Sequence, residues 1–249
     1  MVETFDVSIT PYGLTRRTFV YLPDDWQTSG KKYPVLYMFD GHNLFFDSTA
    51  TYGTCWGLKE YCDAHPNWII AAPECNHEGN KRLEEYCPYQ SDWFGGITGT
   101  GHEYMEWLTK EFKPMMDKRY PTLPGRANTA IGGSSMGGLM SLYALLQYND
   151  TFSRAAALSP SIWVSPEKLS GLVGRAKLEP GTVLYMDYGS REMGNHEGIR
   201  RDFAQLTEKL MVRGIHLTAR LVPGGTHSEA SWEKQLPFVF HTLMYEVEE

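Results

Sequence analysis

The feature that most constrains the fold of this chain is a glycine-rich turn between a short apolar strand and an apolar helix. Residues 129–131 (TAI) predict the strand, the turn reads GGSSMGG, and residues 139–147 (LMSLYALLQ) predict a buried helix. Glycines on both sides of Ser135, at Gly133 and Gly137, let the backbone reverse sharply without side chains in the way. A strand that turns tightly into a helix is typical of α/β folds, in which helices pack on a parallel sheet.

The rest of the chain also alternates strands with helices. Alternating apolar residues at 5–9 and an apolar stretch at 18–22, joined by a Pro-Tyr-Gly turn, predict an antiparallel hairpin. Later patterns predict strands at 35–39, 68–72, 155–158, 183–187 and 216–222, and helices at 100–118, 196–213 and 231–246. The expected fold is α/β, with a mostly parallel central sheet of about eight strands and helices on both faces. Functional residues are then expected at the carboxyl ends of the strands.

Length and charge narrow the class of protein. The 249 residues contain no internal repeat or linker, so we predict one domain over residues 1–249. The net charge of −7 disfavours binding to nucleic acid or to anionic membranes. No run of about 18 apolar residues is present, and the first ten residues (MVETFDVSIT) lack the basic and apolar regions of a secretion signal. We therefore expect a cytoplasmic location.

The four cysteines, Cys55, Cys62, Cys75 and Cys87, lie within one third of the chain. None forms a Cys-x-x-Cys pair and no histidine stands at zinc-finger spacing from them, so no metal centre is predicted. In a reducing compartment we expect four free thiols, with a redox or disulfide role as the alternative. No motif of the sequence requires a cofactor.

Ser135 is the predicted nucleophile. A serine on a sharp strand-to-helix turn presents its Oγ above the sheet, and the following helix directs N–H groups toward developing negative charge. Ser134 is the competing serine, but its flanking positions are Gly132 and Met136, and Met136 does not suit the turn. The alternative is a glycine-rich turn without a catalytic role.

A serine nucleophile needs a general base. Four histidines follow Ser135, at positions 196, 216, 227 and 241. His216 begins a predicted strand and His241 lies within the last predicted helix, so we expect both to be structural. His227 lies in the turn PGGTHS between a strand and the final helix, where the loop overhangs the strand ends. We predict His227 as the base, with His196 as the reserve candidate.

The base needs a carboxylate that orients its ring, and this group is expected in the loop after the preceding strand. Two candidates are present, Asp187 at the end of the strand and Glu192 in the sequence GSRE. Glu192 lies farther into the loop and reaches more easily toward the next loop. Asp187 can instead pair with Arg191 or cap a turn. Geometry favours Glu192 and keeps Asp187 as the alternative.

The turn after the strand at 35–39 reads Asp40-Gly41-His42-Asn43. In folds with this type of serine turn, the second donor of the oxyanion hole comes from such a glycine-containing loop. We predict that the backbone N–H groups of His42 and Met136 together hold the oxyanion. The alternative is a structural turn, with Asp and Asn present for local hydrogen bonds.

A long polar and aromatic segment spans residues 74–101. Loops longer than about 15 residues are usually functional or disordered, and the aromatic residues disfavour disorder. We predict a lid or pocket wall for an aryl or sugar group, with Tyr86 and Trp93 as substrate-binding candidates and plain packing as the alternative. Trp163, in the sequence SPSIW after another strand, is a third substrate-binding candidate.

These motifs resemble the putative-esterase family of α/β-hydrolases, which includes feruloyl and acetyl-xylan esterases, enterochelin-type siderophore esterases, S-formylglutathione hydrolase and mycobacterial mycolyltransferases. The resemblance covers most of the chain through YMFDGHNLFF (37–46), RLEEYCP (82–88), GGSSMGGL (132–139), LSPSIW (158–163), GSRE (189–192) and GGTH (224–227). It implies the α/β-hydrolase fold. It also strengthens Glu192, because relatives carry the acid after a Gly-Ser/Thr pair, and it places the oxyanion donors on His42 and Met136.

The resemblance implies a serine carboxylic-ester hydrolase that acts through an acyl-enzyme on acetyl or feruloyl esters of sugars or on other small esters. The alternatives are a catecholate siderophore esterase, acyl transfer to an alcohol acceptor, and a non-catalytic binding module. The sequence departs from relatives at two places. The oxyanion turn has His42 where related bacterial esterases often have Gln. The elbow has Ser134 where formylglutathione hydrolases have His, which disfavours that activity.

Overall fold

A computed structural model describes residues 1–192 and 197–246. Its strands are β1 (Val2–Ile9), β2 (Leu14–Tyr21), β3 (Val35–Met38), β4 (Ile69–Pro73), β5 (Thr129–Ser134), β6 (Arg154–Leu158), β7 (Val183–Gly189) and β8 (His216–Val222). The described strands form one sheet of eight, in the order β1-β2-β4-β3-β5-β6-β7-β8. β2 runs antiparallel to both β1 and β4, and every other neighbouring pair is parallel. The predicted hairpin and mostly parallel sheet are confirmed.

The described α-helices are α1 (Leu58–Ala64), α2 (Lys81–Glu85), α3 (Gly101–Trp107), α4 (Lys113–Arg119), α5 (Met136–Gln147), α6 (Pro166–Arg175), α7 (Glu197–Met211), α8 (Glu229–Glu233) and α9 (Leu236–Leu243). A π-helical turn joins α3 to α4, so the predicted helix at 100–118 is one helical run. The predicted final helix is wrong in one respect, because it is split into α8 and α9. Pro237 lies in the first turn of α9, where proline is favoured because its missing N–H would have no helical partner.

Successive residues of the central strands face opposite sides of the sheet and build two cores. On β3, for example, Val35 and Tyr37 belong to one core, whereas Leu36 and Met38 belong to the other. The larger core packs against helices α3 to α7, and the smaller packs against α1, α8 and α9. Helices therefore cover both faces, as predicted, and the continuous apolar runs of the central strands follow from burial on both sides.

The parallel strands place their carboxyl ends at one edge of the sheet. The loops after β3 and β5 leave this edge side by side, because the strands are adjacent and Met38, the last residue of β3, pairs with Gly132 near the end of β5. The loops after β6, β7 and β8 follow in the same order along the edge. The sheet thus brings together turns that are far apart in the sequence.

The structure also bears on the state of the cysteines and on membrane-spanning helices. All four cysteines are free thiols, with Cys62, Cys75 and Cys87 buried and Cys55 partly buried. None of the helices in residues 1–192 and 197–246 is long and apolar enough to cross a membrane.

Candidate active site

Ser135 lies between β5 and α5 with φ 59° and ψ −121°, a conformation that residues with side chains rarely adopt. Its backbone is held from both sides, because its N–H donates to the Leu158 carbonyl at 3.0 Å and its carbonyl accepts from the Ser161 N–H at 3.0 Å. A Cβ at Gly133 would lie 2.9 Å from the carbonyl carbon of Gly137. The turn that holds Ser135 therefore requires these glycines.

The Ser135 side chain is half-buried at the carboxyl edge of the sheet. Its Oγ lies 3.5 Å from the Oγ of Ser161, and over the described residues it has no hydrogen bond to His227. Hydrogen bonds of this kind are often long or misaligned before substrate binds and tighten in the complex. The geometry therefore leaves His227 as a candidate base for Ser135.

His227 follows β8, and its Nδ1 lies 3.0 Å from Oε2 of Glu192. Glu192 is 2% exposed, whereas the His227 side chain is 28% exposed. A neutral imidazole that donates its Nδ1–H to this carboxylate carries its free lone pair on Nε2. The arrangement makes Nε2 the basic atom and keeps it accessible from solvent.

Two further residues hold Glu192 in place. Its Oε1 accepts the backbone N–H of Gly189 at 2.7 Å and the hydroxyl of Ser159 at 2.5 Å. The Ser159 oxygen in turn accepts the indole N–H of Trp232 at 2.8 Å. The Trp232 ring also packs edge-on against His227, with ring centroids 5.1 Å apart. Both the carboxylate and the imidazole are therefore fixed by contacts beyond their mutual hydrogen bond.

The sequence analysis did not predict Ser159 or Trp232 as residues that support the site. Ser159 lies in the quoted motif LSPSIW, which was the only available signal for it. Trp232 had no sequence signal, because it is 73 residues from Ser159 and meets it only across the folded edge.

Asp187, the alternative carboxylate, is used elsewhere. Its Oδ1 accepts the backbone N–H of Ser159 at 3.1 Å, and its Oδ2 accepts the hydroxyl of Tyr185 at 2.8 Å. Burial raises the pKa of Asp187 to about 6, even though these two hydrogen bonds favour the ionised form. Of the two candidates, Glu192 is the carboxylate that contacts the base. The reserve base, His196, lies outside the described residues.

The turn after β3 is a single 3₁₀ turn, Gly41–Asn43, and Asp40 before it has a left-handed φ of 58°. The Asp40 carboxylate accepts two hydrogen bonds from Arg82, each 2.7 Å long. Burial raises the pKa of Asp40, but the charge and hydrogen bonds of Arg82 outweigh it, so the pKa lies below its ordinary value. A Cβ on Gly41 would overlap the carbonyl oxygen of Ala72, so only glycine fits there.

The two predicted oxyanion donors occupy suitable positions. Met136 begins α5, where the first N–H groups have no partner within the helix. Across the part of the chain that the structure describes, neither the Met136 N–H nor the His42 N–H donates a hydrogen bond. Because β3 and β5 are adjacent, the two turns that carry these groups lie next to each other.

A family model described as "Putative esterase" matches residues 12–241 of this chain. The chain belongs to that family. The resemblance seen in the sequence and the prediction of an enzyme are thereby confirmed, and this protein is an esterase.

Individual relatives share only about a quarter of the aligned residues with this chain. The protein YbbA of Bacillus subtilis, described as uncharacterized, is 26% identical over 200 residues, which cover 78% of this chain and 76% of YbbA. A siderophore triacetylfusarinine C esterase of Aspergillus fumigatus is 25% identical over 142 residues, or 56% of this chain and 48% of the relative. The chain thus spans about half the length of that esterase. A ferulic acid esterase structure superposes with a TM-score of 0.74 at 21% identity over 98% of both chains, which shows the fold.

Tyr86 has a different position in the esterase from the one predicted. It is fully buried, and its ring packs against Phe39 and Tyr104 with centroids 4.9 and 5.5 Å apart. Its hydroxyl oxygen accepts the backbone N–H of Asp40 at 3.4 Å. Tyr86 therefore supports the turn after β3 from within the core and, with no exposed surface, does not line an open pocket.

Trp93 and Trp163 do line an open cleft. Their ring centroids are 4.9 Å apart with the planes at 84°, and the cleft has a volume of about 1070 Å³. Trp93 is 52% exposed. The described lining residues include neither Ser135 nor Ser161, but Trp163 is two residues from Ser161, whose Oγ lies 3.5 Å from that of Ser135. Residues 90–93 of the segment 74–101 thus form part of the wall of this cleft, residues 74–78 line a second, smaller cleft, and Tyr86 packs in the core.

His42, in the turn after β3, also belongs to a second group of residues that the sequence analysis did not predict. His42, Cys75 and His77 each offer one potential metal-ligand atom, and these atoms lie within 4.8 Å of one another. The group combines residues from two loops, so it has no recognisable spacing along the chain.

Proposed function

We propose that this esterase is a serine carboxylic-ester hydrolase with Ser135 as nucleophile, His227 as general base and Glu192 as the orienting carboxylate. The observation that carries the proposal is the 3.0 Å hydrogen bond from His227 to Glu192, at the same sheet edge as the left-handed Ser135. This bond leaves Nε2 of His227 free to take a proton. The backbone N–H groups of His42 and Met136 form the proposed oxyanion hole.

In the acylation step, Oγ of Ser135 attacks the acyl carbon of the ester while Nε2 of His227 accepts the hydroxyl proton. The carbonyl oxygen becomes an oxyanion, to which the N–H groups of His42 and Met136 donate. When the tetrahedral intermediate collapses, the bond between the acyl carbon and the alcohol oxygen breaks. The imidazolium then gives its proton to the departing alcohol, and the acyl group remains on Ser135.

Deacylation repeats the sequence with water. His227 removes one proton from the water molecule, whose oxygen attacks the acyl carbon, and the bond to Ser135 breaks as His227 returns the proton to Oγ. The buried Glu192 carries a negative charge beside the imidazolium that forms in each half of the reaction, and it stabilises that cation. The products are the carboxylic acid and the regenerated serine.

We infer that the substrates are acetyl or feruloyl esters of sugars or related small esters. The perpendicular rings of Trp93 and Trp163 provide aromatic surface against which a phenolic ring or a sugar can pack. The likeness to a ferulic acid esterase supports the same choice. We also propose a cytoplasmic location, because four free thiols are typical of a reducing compartment.

Siderophore hydrolysis is the second candidate function. It is favoured by the relative from Aspergillus fumigatus, which is described as a siderophore esterase. The wide cleft beside Trp163 would suit a bulky substrate, such as a cyclic catecholate ester, equally well.

The test compares the wild-type protein with Ser135→Ala and with the matched control Ser134→Ala, which changes the neighbouring serine of the same turn. The substrates are p-nitrophenyl acetate, methyl ferulate, an acetylated xylo-oligosaccharide and a catecholate siderophore, with glycerol added in a parallel set to detect acyl transfer. We expect Ser135→Ala to lower kcat by a factor on the order of 10⁴–10⁶, with Ser134→Ala much closer to wild type. Ester hydrolysis that persists in Ser135→Ala would contradict the proposal.

The pattern of substrates decides between the two functions. A preference for ferulate or acetylated sugar that weakens in Trp93→Ala supports the first, and a preference for the siderophore supports the second.

A further inference from the structure

Three side chains that could bind a metal ion form a cluster at the turn after β3. One ring nitrogen of His42, one of His77 and the Sγ of Cys75 are all within 4.8 Å of one another. His42 comes from the turn after β3, and the other two come from the sequence ECNH (74–77) directly after β4. Because β3 and β4 are adjacent and parallel, the two loops leave the sheet at the same edge.

The strongest sign of a ligand is a nitrogen of His42. The residue is 4% exposed, and its Nε2 lies 3.0 Å from the hydroxyl of Thr51. Its Nδ1 is buried and has no hydrogen-bond partner among the described residues. Buried polar atoms almost always have a partner, so one without a protein partner often binds a water molecule or an ion. Since Thr51 occupies Nε2, Nδ1 is the nitrogen available to a metal ion.

The other two residues combine burial with access. Cys75 is 3% exposed, whereas His77 is exposed and its Nε2 lies 3.7 Å from the carboxylate of Glu74. Cys75, His77 and Glu74 all line a surface cleft of about 420 Å³. Two of the three proposed ligand residues therefore border a cleft that is open to solvent.

We propose that His42, Cys75 and His77 bind one Zn²⁺ ion. Imidazole nitrogen and thiolate sulfur are the preferred donors for this ion, which takes four ligands in tetrahedral geometry. Tetrahedral ligands at zinc distances stand about 3.5 Å apart, so the cluster must contract by roughly 1 Å. The exposed side chain of His77 can supply this movement. A water molecule or the Glu74 carboxylate takes the fourth position.

Zinc binding changes the protonation of one ligand. On coordination, the buried Cys75 thiol releases its proton to solvent and binds Zn²⁺ as the thiolate. Asp40 retains its two hydrogen bonds from Arg82. The ion would join the loop after β4 to the turn that carries the His42 N–H, without contact with Ser135. Zinc binding would thus stabilise the oxyanion turn.

The experiment measures metal binding directly and does not depend on ester hydrolysis. Chelator-treated, reduced protein is titrated with Zn²⁺ in competition with a chromophoric chelator. We expect one equivalent to bind to the wild type, and we expect Cys75→Ser and His77→Gln each to weaken binding at least about 100-fold. The matched controls Cys55→Ser and His65→Gln change the same residue types outside the cluster and are expected to bind like the wild type.

Cobalt and thermal unfolding give independent readouts. Co²⁺ should give a thiolate-to-cobalt absorption band with the wild type and with Cys55→Ser but not with Cys75→Ser. Zn²⁺ should raise the Tm of the wild type and leave that of His77→Gln unchanged, and this variant is expected to fold because His77 is exposed. Zinc affinity that is the same in the wild type, Cys75→Ser and His77→Gln would overturn the proposal.

Discussion

Two regions of the same sheet edge differ in how completely their polar atoms are paired. On one side, Glu192 accepts hydrogen bonds from three residues, and Ser159 connects it to Trp232. On the other side, the Asp40–Arg82 pair is complete, but Nδ1 of His42 is buried and has no hydrogen-bond partner within residues 1–192 and 197–246. A fully paired network fixes one geometry, whereas a buried ring nitrogen without a protein partner leaves a position for a ligand.

The largest effect is expected from breaking the paired side with Glu192→Gln. The amide oxygen can still accept from Gly189 and Ser159, but the amide NH₂ then faces Nδ1 of His227. The imidazole must carry its proton on Nε2 and can no longer accept one from Ser135, so kcat should fall by a factor on the order of 10⁴. The control is Asp187→Asn, for which we expect a much smaller loss. A larger loss in Asp187→Asn than in Glu192→Gln would assign the carboxylate role to Asp187.

Breaking the ion pair on the other side should mainly reduce stability. Arg82→Ala leaves the buried Asp40 carboxylate without its cation, which should lower the free energy of unfolding by about 3 kcal/mol. The neighbouring Lys81→Ala removes an exposed ion pair with Glu84 and should have no measurable effect. Urea unfolding of both variants checks this, and equal midpoints would show that the Asp40–Arg82 pair does not support the turn.

Asp187 makes the free energy of unfolding depend on pH. Its pKa is about 6 in the folded protein against an ordinary value of 3.8, so the folded state binds more protons than the unfolded chain between these values. The contribution of Asp187 to the free energy of unfolding therefore decreases as pH rises from about 4 to about 6, by up to about 3 kcal/mol, and is constant above that range.

Asp187→Asn should remove this part of the pH dependence. We expect its unfolding free energy, measured in urea from pH 4 to 7, to fall less steeply with pH than that of the wild type. Asp150→Asn, at an exposed position, should keep the wild-type slope. Identical slopes for wild type and Asp187→Asn would mean that this carboxyl has an ordinary pKa.

The smallest effect on activity and stability is expected from Ser159→Ala, which removes a single hydroxyl from the paired network around Glu192. Glu192 loses one donor to Oε1, and the Trp232 N–H loses its acceptor, so stability should fall by about 1–3 kcal/mol. We expect kcat to fall about 10-fold, since Glu192 keeps its hydrogen bonds from Gly189 and His227. The control Ser153→Ala removes a buried hydroxyl that has no partner among the described residues, and it should be nearly neutral. Equal losses in the two variants would argue against a supporting role for Ser159.

Features that depend on neighbouring residues could be predicted from the sequence alone. The serine turn could be recognised because Gly133 and Gly137 stand two residues from Ser135, a spacing that is visible in the sequence. The strands could be placed because apolar runs and alternation reflect burial on one or both faces. His227 and Glu192 could be ranked from their position after successive strands.

Only the tertiary structure decided which side chains meet and which are buried. Tyr86 was predicted to bind substrate because aromatic residues suit pockets, but the fold places it in the core beneath Asp40. The partners Asp40 and Arg82 are 42 residues apart, and Ser159 and Trp232 are 73 apart. The cluster of His42, Cys75 and His77 forms for the same reason, because parallel strands bring distant loops to one edge and the sequence pattern carries no record of those contacts.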